Sequence, residues 1–208
     1  MAHIEDGNSS KRFVCNDQKK NVFLIGDSIR LGYCYHLKNA LLDEAETFYI
    51  NDNCRNTQYV ISSLHSWAEL FDCPEKIDVV LFNCGHWDIA HWEGAEEPLT
   101  SKDEYRRNVA VVIRTIRKLF KNAKVLFATT TPMNPSGIMG INPRSNEEID
   151  AYNKIAVEVC DGYDVPTFDL NAFCRDWDST AFADYCHFKS VSAEKQGKAL
   201  AKFIKTFF

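Results

Sequence analysis

The sequence predicts an α/β fold, a three-layer sandwich with a five-stranded parallel sheet between two layers of helices. Short apolar runs alternate five times along the 208 residues with longer segments of helical periodicity. The longest apolar run, IDVVLFNCG at 77–85, shows no regular polar alternation, as expected for a strand covered on both faces. Right-handed crossovers between parallel strands then place helices on both sides of the sheet.

The first half of the chain contains four of the expected elements. The run NVFLIG at 21–26 predicts the first strand, and apolar residues at helical spacing predict a helix over 29–42. AETFYI at 45–50 predicts a second strand. A second helix is expected from Thr57, whose hydroxyl can cap its amino end.

The second half continues the alternation after the strand at 77–85. TSKDEYRRNVAVVIRTIRKLF at 100–120 predicts an amphipathic helix with acidic residues in its first turn, and AKVLFATTT at 123–131 predicts the fourth strand. The remaining elements are a loop rich in proline and glycine at 132–146, helices at 145–160 and 192–204, and a fifth strand at 165–170. The composition of that loop allows either a fixed wall or a mobile lid.

Composition favours one globular domain. The hydrophobic fraction of 45% and the charged fraction of 25% are ordinary values. A net charge of −5 argues against a nucleic-acid partner, and no apolar run approaches the length of a membrane span, so no membrane partner is expected. Residues 1–20 are polar and lack the apolar core of a signal peptide. We therefore expect an N-terminal arm over 1–20 and a single domain over 21–208.

Eight cysteines are spread along the chain, and none forms a CxxC pair. A chain of this size needs no disulfides to fold, and buried free cysteine behaves as a small hydrophobic residue. We therefore expect free thiols and a cytoplasmic location. No cluster of His, Asp or Glu has the spacing of metal ligands, so neither a metal nor a cofactor is expected.

The stretch GDS at 26–28 directly follows the first strand. In a doubly wound sheet ligands bind at the carboxyl ends of the strands, where Ser28 would meet residues 83–88 and 129–131. Gly26 allows a sharp turn, so that Ser28 would stand at the amino end of a helix. A serine on such a turn is a candidate hydrolase nucleophile, because neighbouring N–H groups can hold an oxyanion. The alternative is that Ser28 only caps the helix.

The stretch ADYCHF at 183–188 offers a base for that serine. Asp184 precedes His187 by three residues, so its carboxylate can hold one ring nitrogen protonated while the other faces a serine. The alternative is an exposed pair without a function.

Together these two stretches make the sequence resemble the SGNH (GDSL-type) hydrolase superfamily, over nearly the whole chain. In that family the serine of GDS is the nucleophile, and a late DxxH supplies an aspartate and a histidine. The resemblance therefore implies a serine ester hydrolase in which Ser28, Asp184 and His187 form the catalytic triad.

The two other sequence blocks of the family differ here. The second block usually offers a glycine N–H to the oxyanion hole, and NCRNTQ has Arg55 in the place of that glycine. The third block is usually GxND, and GHWD has Trp87 where the asparagine is expected, as in a bacterial subgroup that looks similar around both blocks. The resemblance implies that the backbone N–H groups of Ser28 and Arg55 hold the oxyanion. A third donor would be the Trp87 indole or the amide of Asn53 or Asn83, unless the enzyme is weakened.

Residues near the expected mouth of the site suggest a substrate class. Arg30 and Arg55 could each bind an anionic group, although a solvated arginine is the alternative for Arg30. His86, His91 and Trp92 are expected to line the mouth, where aromatic rings suit the face of a sugar. No long apolar segment suggests a tunnel for an acyl chain. We therefore expect a small-molecule or glycan ester, with acetyl as the acyl group.

Three alternatives remain from the sequence. The family that the chain resembles also includes lysophospholipases, thioesterases and acyltransferases. The replacement at Trp87 is compatible with a non-catalytic carbohydrate-binding descendant. A flavodoxin-like nucleotide binder ranks last, because the turn after the first strand lacks a phosphate-binding loop such as GxGxxG.

Overall fold

The computed structural model describes residues 13–138 and 140–208. Its sheet has five parallel strands in the order β2-β1-β3-β4-β5, which confirms the predicted α/β fold. The strands are β1 (Lys20–Ile25), β2 (Ala45–Tyr49), β3 (Val79–Phe82), β4 (Lys124–Ala128) and β5 (Thr167–Phe168). The helices are α1 (Ser28–Leu41), α2 (Thr57–Ala68), α3 (Lys102–Leu119), α4 (Asn146–Gly162), α5 (Leu170–Cys174) and α6 (Ser190–Lys205). Short 3₁₀ turns lie at Pro74–Lys76, Trp92–Gly94 and Ser179–Ala181.

The sheet separates two apolar layers. Alternate residues of β1, β3 and β4 point to opposite faces, as the two-residue period of a strand requires. Phe23 and Val80 join a core with α2, α3 and α4, whereas Leu24 and Leu81 join a core with α1, α5 and α6. The chain order reverses between β1 and β3, so the gap between their carboxyl ends is the expected ligand site of the fold.

The fifth strand is shorter than the predicted segment 165–170, and α5 was not expected from the sequence. Pro166 has no N–H to donate to a strand ladder. Asp169 then turns the chain into α5 by accepting the N–H of Ala172 at 2.9 Å. Asp169 is therefore the N-cap of a helix at a position where the sequence predicted the end of a strand.

The predicted cap of α2 is also wrong by one residue. Asn56, rather than Thr57, accepts the N–H of Tyr59 at 2.9 Å. Thr57 is buried and donates its hydroxyl to Asp88 at 2.6 Å.

Part of the predicted N-terminal arm packs on the domain. Residues 1–12 lie outside the described part of the chain, but Phe13 pairs with Phe71 through backbone bonds. The Phe13 ring lies 5.4 Å from that of Phe48 and 5.0 Å from that of Phe71.

All eight cysteines are free thiols, and seven are buried. Within the described residues, no helix combines the length and the apolar character needed to cross a membrane.

Candidate active site

The turn after β1 is held in one conformation by close packing. A Cβ atom on Gly26 would lie 2.1 Å from Oδ1 of Asn83, so only glycine fits. Asp27 caps α1 through Oδ1, which accepts the N–H of Ile29 and the Nδ2 group of Asn83, each at 3.0 Å. Burial raises the pKa of Asp27, although both bonds act in the opposite direction. Ser28 therefore begins α1, where its N–H has no acceptor within the helix.

Arg30 supports this turn, and the prediction that it binds substrate is wrong. Its side chain is fully buried. The guanidinium donates to the carbonyl of Gly26 at 3.2 Å and to that of Asp52 at 2.5 Å. These bonds join the GDS turn to the segment after β2, and they explain why the arginine is not solvated.

Asn83 also supports the turn. Besides its bond to Asp27, it accepts the hydroxyl of Tyr33 at 2.9 Å through Oδ1. The side chain lies under Gly26 and is 5% exposed. This position makes Asn83 a support of the GDS turn rather than the oxyanion donor considered from the sequence.

Ser28, His187 and Asp184 form a continuous chain of hydrogen bonds. Oγ of Ser28 lies 2.7 Å from Nε2 of His187, and Nδ1 of His187 lies 2.7 Å from Oδ2 of Asp184. The serine begins α1, and the other two residues lie in the segment before α6. The structure thus brings together the three residues that the GDS and DxxH stretches indicated, across 159 residues of sequence.

The carboxylate of Asp184 is held in place by hydrogen bonds within the turn that contains it. Oδ1 of Asp184 accepts the backbone N–H groups of Cys186 at 2.9 Å and His187 at 2.8 Å. Partial burial acts to raise the pKa of Asp184, but these two N–H bonds and the His187 ring outweigh it and lower that pKa. An ionised Asp184 favours the tautomer with its proton on Nδ1, which leaves the Nε2 lone pair facing Ser28.

The backbone at Arg55 adopts the conformation that a glycine would favour. Its φ of 52° lies in the left-handed region. The Arg55 N–H, however, donates to Oδ1 of Asn53 at 2.9 Å, so it is not free to bind an oxyanion in this arrangement. Asn53 is half-buried. Its Oδ1 atom accepts the Arg55 N–H, and its Nδ2 group takes no part in that bond.

A cleft of about 590 Å³ begins beside Arg55. Trp87 and Trp92 pack together in its wall, with ring centroids 5.3 Å apart and planes inclined by 42°. The Arg55 guanidinium lies 4.7 Å above the ring of Tyr59. The other lining residues are Asn56, Gln58, Ser62 and Leu99. The preceding Cys54 donates its N–H to the Gly26 carbonyl at 3.1 Å, which ties this cleft to the GDS turn.

His86 does not line the mouth of the site. It is 2% exposed, and its Nε2 lies 3.0 Å from the hydroxyl of Thr131. Burial, helped by the charge of Arg144, lowers the pKa of His86 well below its usual value, so the ring is neutral. This burial could not be predicted from the sequence, because a histidine in a polar loop is ordinarily exposed.

His91 joins its own loop to α4 and to the 132–146 loop, and it lines a cavity of about 450 Å³ beside that loop. Its Nε2 lies 2.6 Å from Oε1 of Glu148, and its Nδ1 lies 3.0 Å from the carbonyl of Ala95. The bond to Glu148 raises the pKa of His91. Since its backbone N–H also donates to the Pro143 carbonyl at 3.0 Å, His91 fixes the end of the 132–146 loop.

Arg144 and Cys186 are site residues that the sequence reasoning missed. Arg144 is 7% exposed and donates to the carbonyls of His86 and Asn142. Cys186 is buried, with Sγ 3.7 Å from Nδ1 of His187. An arginine in a loop of prolines and glycines resembles a solvated residue, so only the tertiary contacts reveal its position. The position of Cys186 inside the DxxH stretch was a signal that could have found it.

The GDSL-like Lipase/Acylhydrolase family model matches residues 24–190. No curated protein matches the chain by sequence. Solved structures do match, among them the lipase/acylhydrolase from Enterococcus faecalis, at 22% identity and TM-score 0.70, over 90% of this chain and 96% of that one. A carbohydrate acetylesterase from Sinorhizobium meliloti matches at 15% identity and TM-score 0.69, over 91% of this chain and 100% of that one. An acetyl xylan esterase matches at 18% identity and TM-score 0.66, over 89% and 98% of the two chains.

At these identities the solved structures establish a shared fold, and the family model covers most of the chain. The matched segment contains the GDS turn, the altered second and third blocks and the DxxH stretch. The chain therefore belongs to the GDSL-like lipase/acylhydrolase family and is an ester hydrolase of the SGNH type.

Proposed function

We propose that this protein is a serine esterase that removes a small acyl group, acetyl above all, from a carbohydrate. The observation that carries the proposal is the hydrogen-bonded chain from Ser28 through His187 to Asp184, with 2.7 Å at each step. A serine hydroxyl is a poor nucleophile unless a base removes its proton, and this arrangement supplies one.

The first half of the reaction acylates the serine. Nε2 of His187 takes the proton from Oγ of Ser28 as Oγ attacks the ester carbonyl. The N–H of Ser28, at the start of α1, faces the negative charge that develops on the carbonyl oxygen. The His187 imidazolium is stabilised by Asp184, and it then protonates the departing sugar hydroxyl.

The second half releases the acyl group. A water molecule gives a proton to Nε2 of His187 and attacks the acyl carbonyl, and the same proton then returns to Oγ of Ser28. Carboxylic acid leaves, and the hydrogen-bonded chain is restored. The transfer between Ser28 and His187 uses groups already in hydrogen-bond contact, so the triad needs no rearrangement for this step.

The carbohydrate part of the proposal draws on the cleft beside Arg55. Indole faces of Trp87 and Trp92 offer flat apolar surface for the C–H face of a sugar, and Arg55 and Gln58 add polar contacts. Two of the matching structures are named as a carbohydrate acetylesterase and an acetyl xylan esterase, which supports the same substrate class. We also propose a reducing, cytoplasmic location, which the eight free thiols support.

The test is the hydrolysis of p-nitrophenyl acetate, butyrate and octanoate by wild type, Ser28→Ala and the control Ser66→Ala. Ser66 is exposed on α2, so its substitution should leave turnover unchanged. We expect the acetate to be the best of the three esters and the Ser28→Ala enzyme to lose at least about 1000-fold in turnover. Equal rates for wild type and Ser28→Ala would overturn the proposal, and a preference for octanoate would favour a lysophospholipase or thioesterase instead.

The natural substrate class needs a second assay. Acetate release from acetylated xylo-oligosaccharides should be lost in Ser28→Ala and reduced in Trp92→Ala, because the latter removes a wall of the cleft. Activity on p-nitrophenyl acetate with no acetate release from any acetylated sugar would retain the esterase and reject the carbohydrate.

A further inference from the structure

Three side chains with metal-ligating atoms meet in the segment before α6. The carboxylate of Asp184, the thiol of Cys186 and the imidazole of His187 place one such atom each within 4.8 Å of the others. Nδ1 of His187 is the central atom, 2.7 Å from Oδ2 of Asp184 and 3.7 Å from Sγ of Cys186. Carboxylate, thiolate and imidazole together are a donor set that suits Zn²⁺.

We propose that Asp184, Cys186 and His187 bind a thiophilic divalent cation, Zn²⁺ or Cd²⁺, and that this binding inhibits the enzyme. The inhibitory part rests on the proposed function, because it acts through His187 as the base. The binding part rests only on the geometry of the three ligands. Water would complete a tetrahedral set, as at zinc sites with three protein ligands.

The ligands are held ready by the local backbone. Oδ1 of Asp184 accepts the N–H groups of Cys186 and His187, so the turn that brings the three side chains together is already formed. The side chains of His187 and Asp184 are 36% and 45% exposed, which gives a cation a path from solvent. Cys186, which is 3% exposed, closes the inner side of the site.

Inhibition follows from the position of the imidazole proton. In the metal-free triad Nδ1 carries the proton and Nε2 has the lone pair that accepts the Ser28 proton. A cation bound to Nδ1 needs the lone pair there, so the Nδ1 proton leaves to solvent and a solvent proton is taken up at Nε2. The Cys186 thiol also releases its proton when it becomes a ligand. Nε2 of His187 then donates to Ser28 and can no longer act as its base.

The amino-acid sequence predicted no metal site, because no CxxC pair or cluster of His, Asp and Glu has the spacing of metal ligands. A single cysteine inside a DxxH stretch matches neither of these patterns. Cys186 takes part in no step of the proposed esterase reaction, which makes it the residue through which the cation site can be tested separately.

The experiment combines a spectroscopic and a kinetic titration. Cd²⁺ is added to the 208-residue chain while the ultraviolet charge-transfer absorption of cadmium–thiolate is followed, and Zn²⁺ is added during p-nitrophenyl acetate hydrolysis. The variants are Cys186→Ser, which is nearly isosteric, and Cys186→Ala. The control is Cys73→Ala, because Cys73 is the one cysteine that is not buried.

We expect wild type and Cys73→Ala to gain the absorption and to lose turnover on Zn²⁺, both reversed by EDTA. Cys186→Ser and Cys186→Ala should lack the absorption and need at least about 10-fold more Zn²⁺ for half inhibition, since even an outer-shell change costs 10–100-fold in metal affinity. Absorption that persists in both Cys186 variants would overturn the site. Cadmium binding through Cys186 without zinc inhibition would overturn the inhibitory role.

The two proposals fail in different ways. If no ester is hydrolysed, the proposed function fails, while the cadmium absorption of wild type against Cys186→Ser still decides the metal site. If turnover depends on Ser28 but no cation binds at Cys186, only the metal site fails.

Discussion

At the scale of single residues, Asn53 is the candidate donor to the oxyanion of the ester. The Arg55 N–H donates to Oδ1 of Asn53, which leaves the Nδ2 group of Asn53 as a donor one residue before Cys54, whose N–H is bonded to the Gly26 carbonyl. Trp87, which stands in the sequence position of the family's asparagine, packs its ring against Trp92 in the cleft. We therefore propose that the Nδ2 group of Asn53 binds the oxyanion together with the Ser28 N–H, and that Trp87 contacts the substrate.

This assignment predicts different effects for two substitutions. Asn53→Ala should lower kcat for p-nitrophenyl acetate by on the order of 100-fold, the usual effect of removing one oxyanion donor. Trp87→Phe keeps an aromatic ring and removes only the indole N–H, so kcat should stay within a few-fold of wild type. Steady-state kinetics of both variants provide the check, and the reverse ranking would assign the donor to Trp87.

Single residues also show the limit of sequence reasoning. Ser28, Asp184 and His187 could be singled out because short motifs contain them, and their catalytic roles stay a prediction. Arg30 and Arg144 could not be placed, because their burial depends on backbone carbonyls elsewhere in the chain, such as that of Asp52 for Arg30 and that of His86 for Arg144. A buried arginine and a solvated one look the same in a sequence.

At the scale of elements, buried polar contacts join the loops that follow different strands. Asp88, after β3, accepts the N–H of Thr57 at 3.1 Å and its hydroxyl at 2.6 Å, which fixes the start of α2. Arg144 ties the 132–146 loop to the carbonyl of His86, and Asn134 in that loop donates to the carbonyl of Asp184 at 2.9 Å. Both ends of this loop are therefore bonded to segments that carry the candidate site.

The Asp88 contact predicts a pH dependence of stability. Burial raises the pKa of Asp88 from 3.8 to about 6, against the hydrogen bonds from Thr57. A carboxyl group whose pKa is raised by folding contributes its stability below its unfolded pKa and loses it as the pH rises through the folded pKa. Between pH 4 and pH 7, wild type should lose about 2 kcal/mol of unfolding free energy relative to Asp88→Asn, which cannot ionise at this position.

Urea unfolding of both proteins at pH 4, 5, 6 and 7 measures this difference directly. Groups other than Asp88 titrate in both proteins and cancel in the comparison. Unfolding free energies that change in parallel with pH would show that Asp88 does not titrate in this range.

Element boundaries were predictable where an apolar run or a helical period was long. The amphipathic segment 100–120 became α3 at Lys102–Leu119, and 145–160 became α4 at Asn146–Gly162. The boundaries of the short β5 and α5 were not predictable, because the few residues around Pro166 and Asp169 show too little hydrophobic periodicity. There the outcome depends on caps and missing donors, which act over one or two residues.

At the scale of the whole molecule, the position of Ser28 relative to His187 depends on the contact between α1 and α6. Ser28 begins α1, and His187 lies three residues before α6 begins at Ser190. The two helices meet at Gly197, where a Cβ atom would lie 2.8 Å from the backbone nitrogen of Leu37. The backbone of Leu37 cannot move away by a change of rotamer, as a side chain can, so this close approach requires glycine at position 197.

Gly197→Ala should therefore lower stability and activity together. Overpacking against backbone costs about 1–3 kcal/mol of unfolding free energy, which exceeds or offsets the roughly 1 kcal/mol by which alanine favours a helix over glycine. A shift of α6 would also lengthen the contact between Ser28 and His187 and lower kcat. The control is Gly162→Ala at the end of α4, where a Cβ would meet nothing within 4 Å and stability should be unchanged or higher. Equal melting temperatures for Gly197→Ala and Gly162→Ala would contradict the account.

The claim on which the account depends most is that His187 activates Ser28. The direct measurement is covalent labelling by diisopropyl fluorophosphate, followed by mass spectrometry of the peptides. We predict a single phosphorylated residue, Ser28, in the wild type, and no label at this position in His187→Ala under the same conditions. A wild-type protein that stays unlabelled, or one labelled at another serine, would contradict the assignment of Ser28 as the nucleophile.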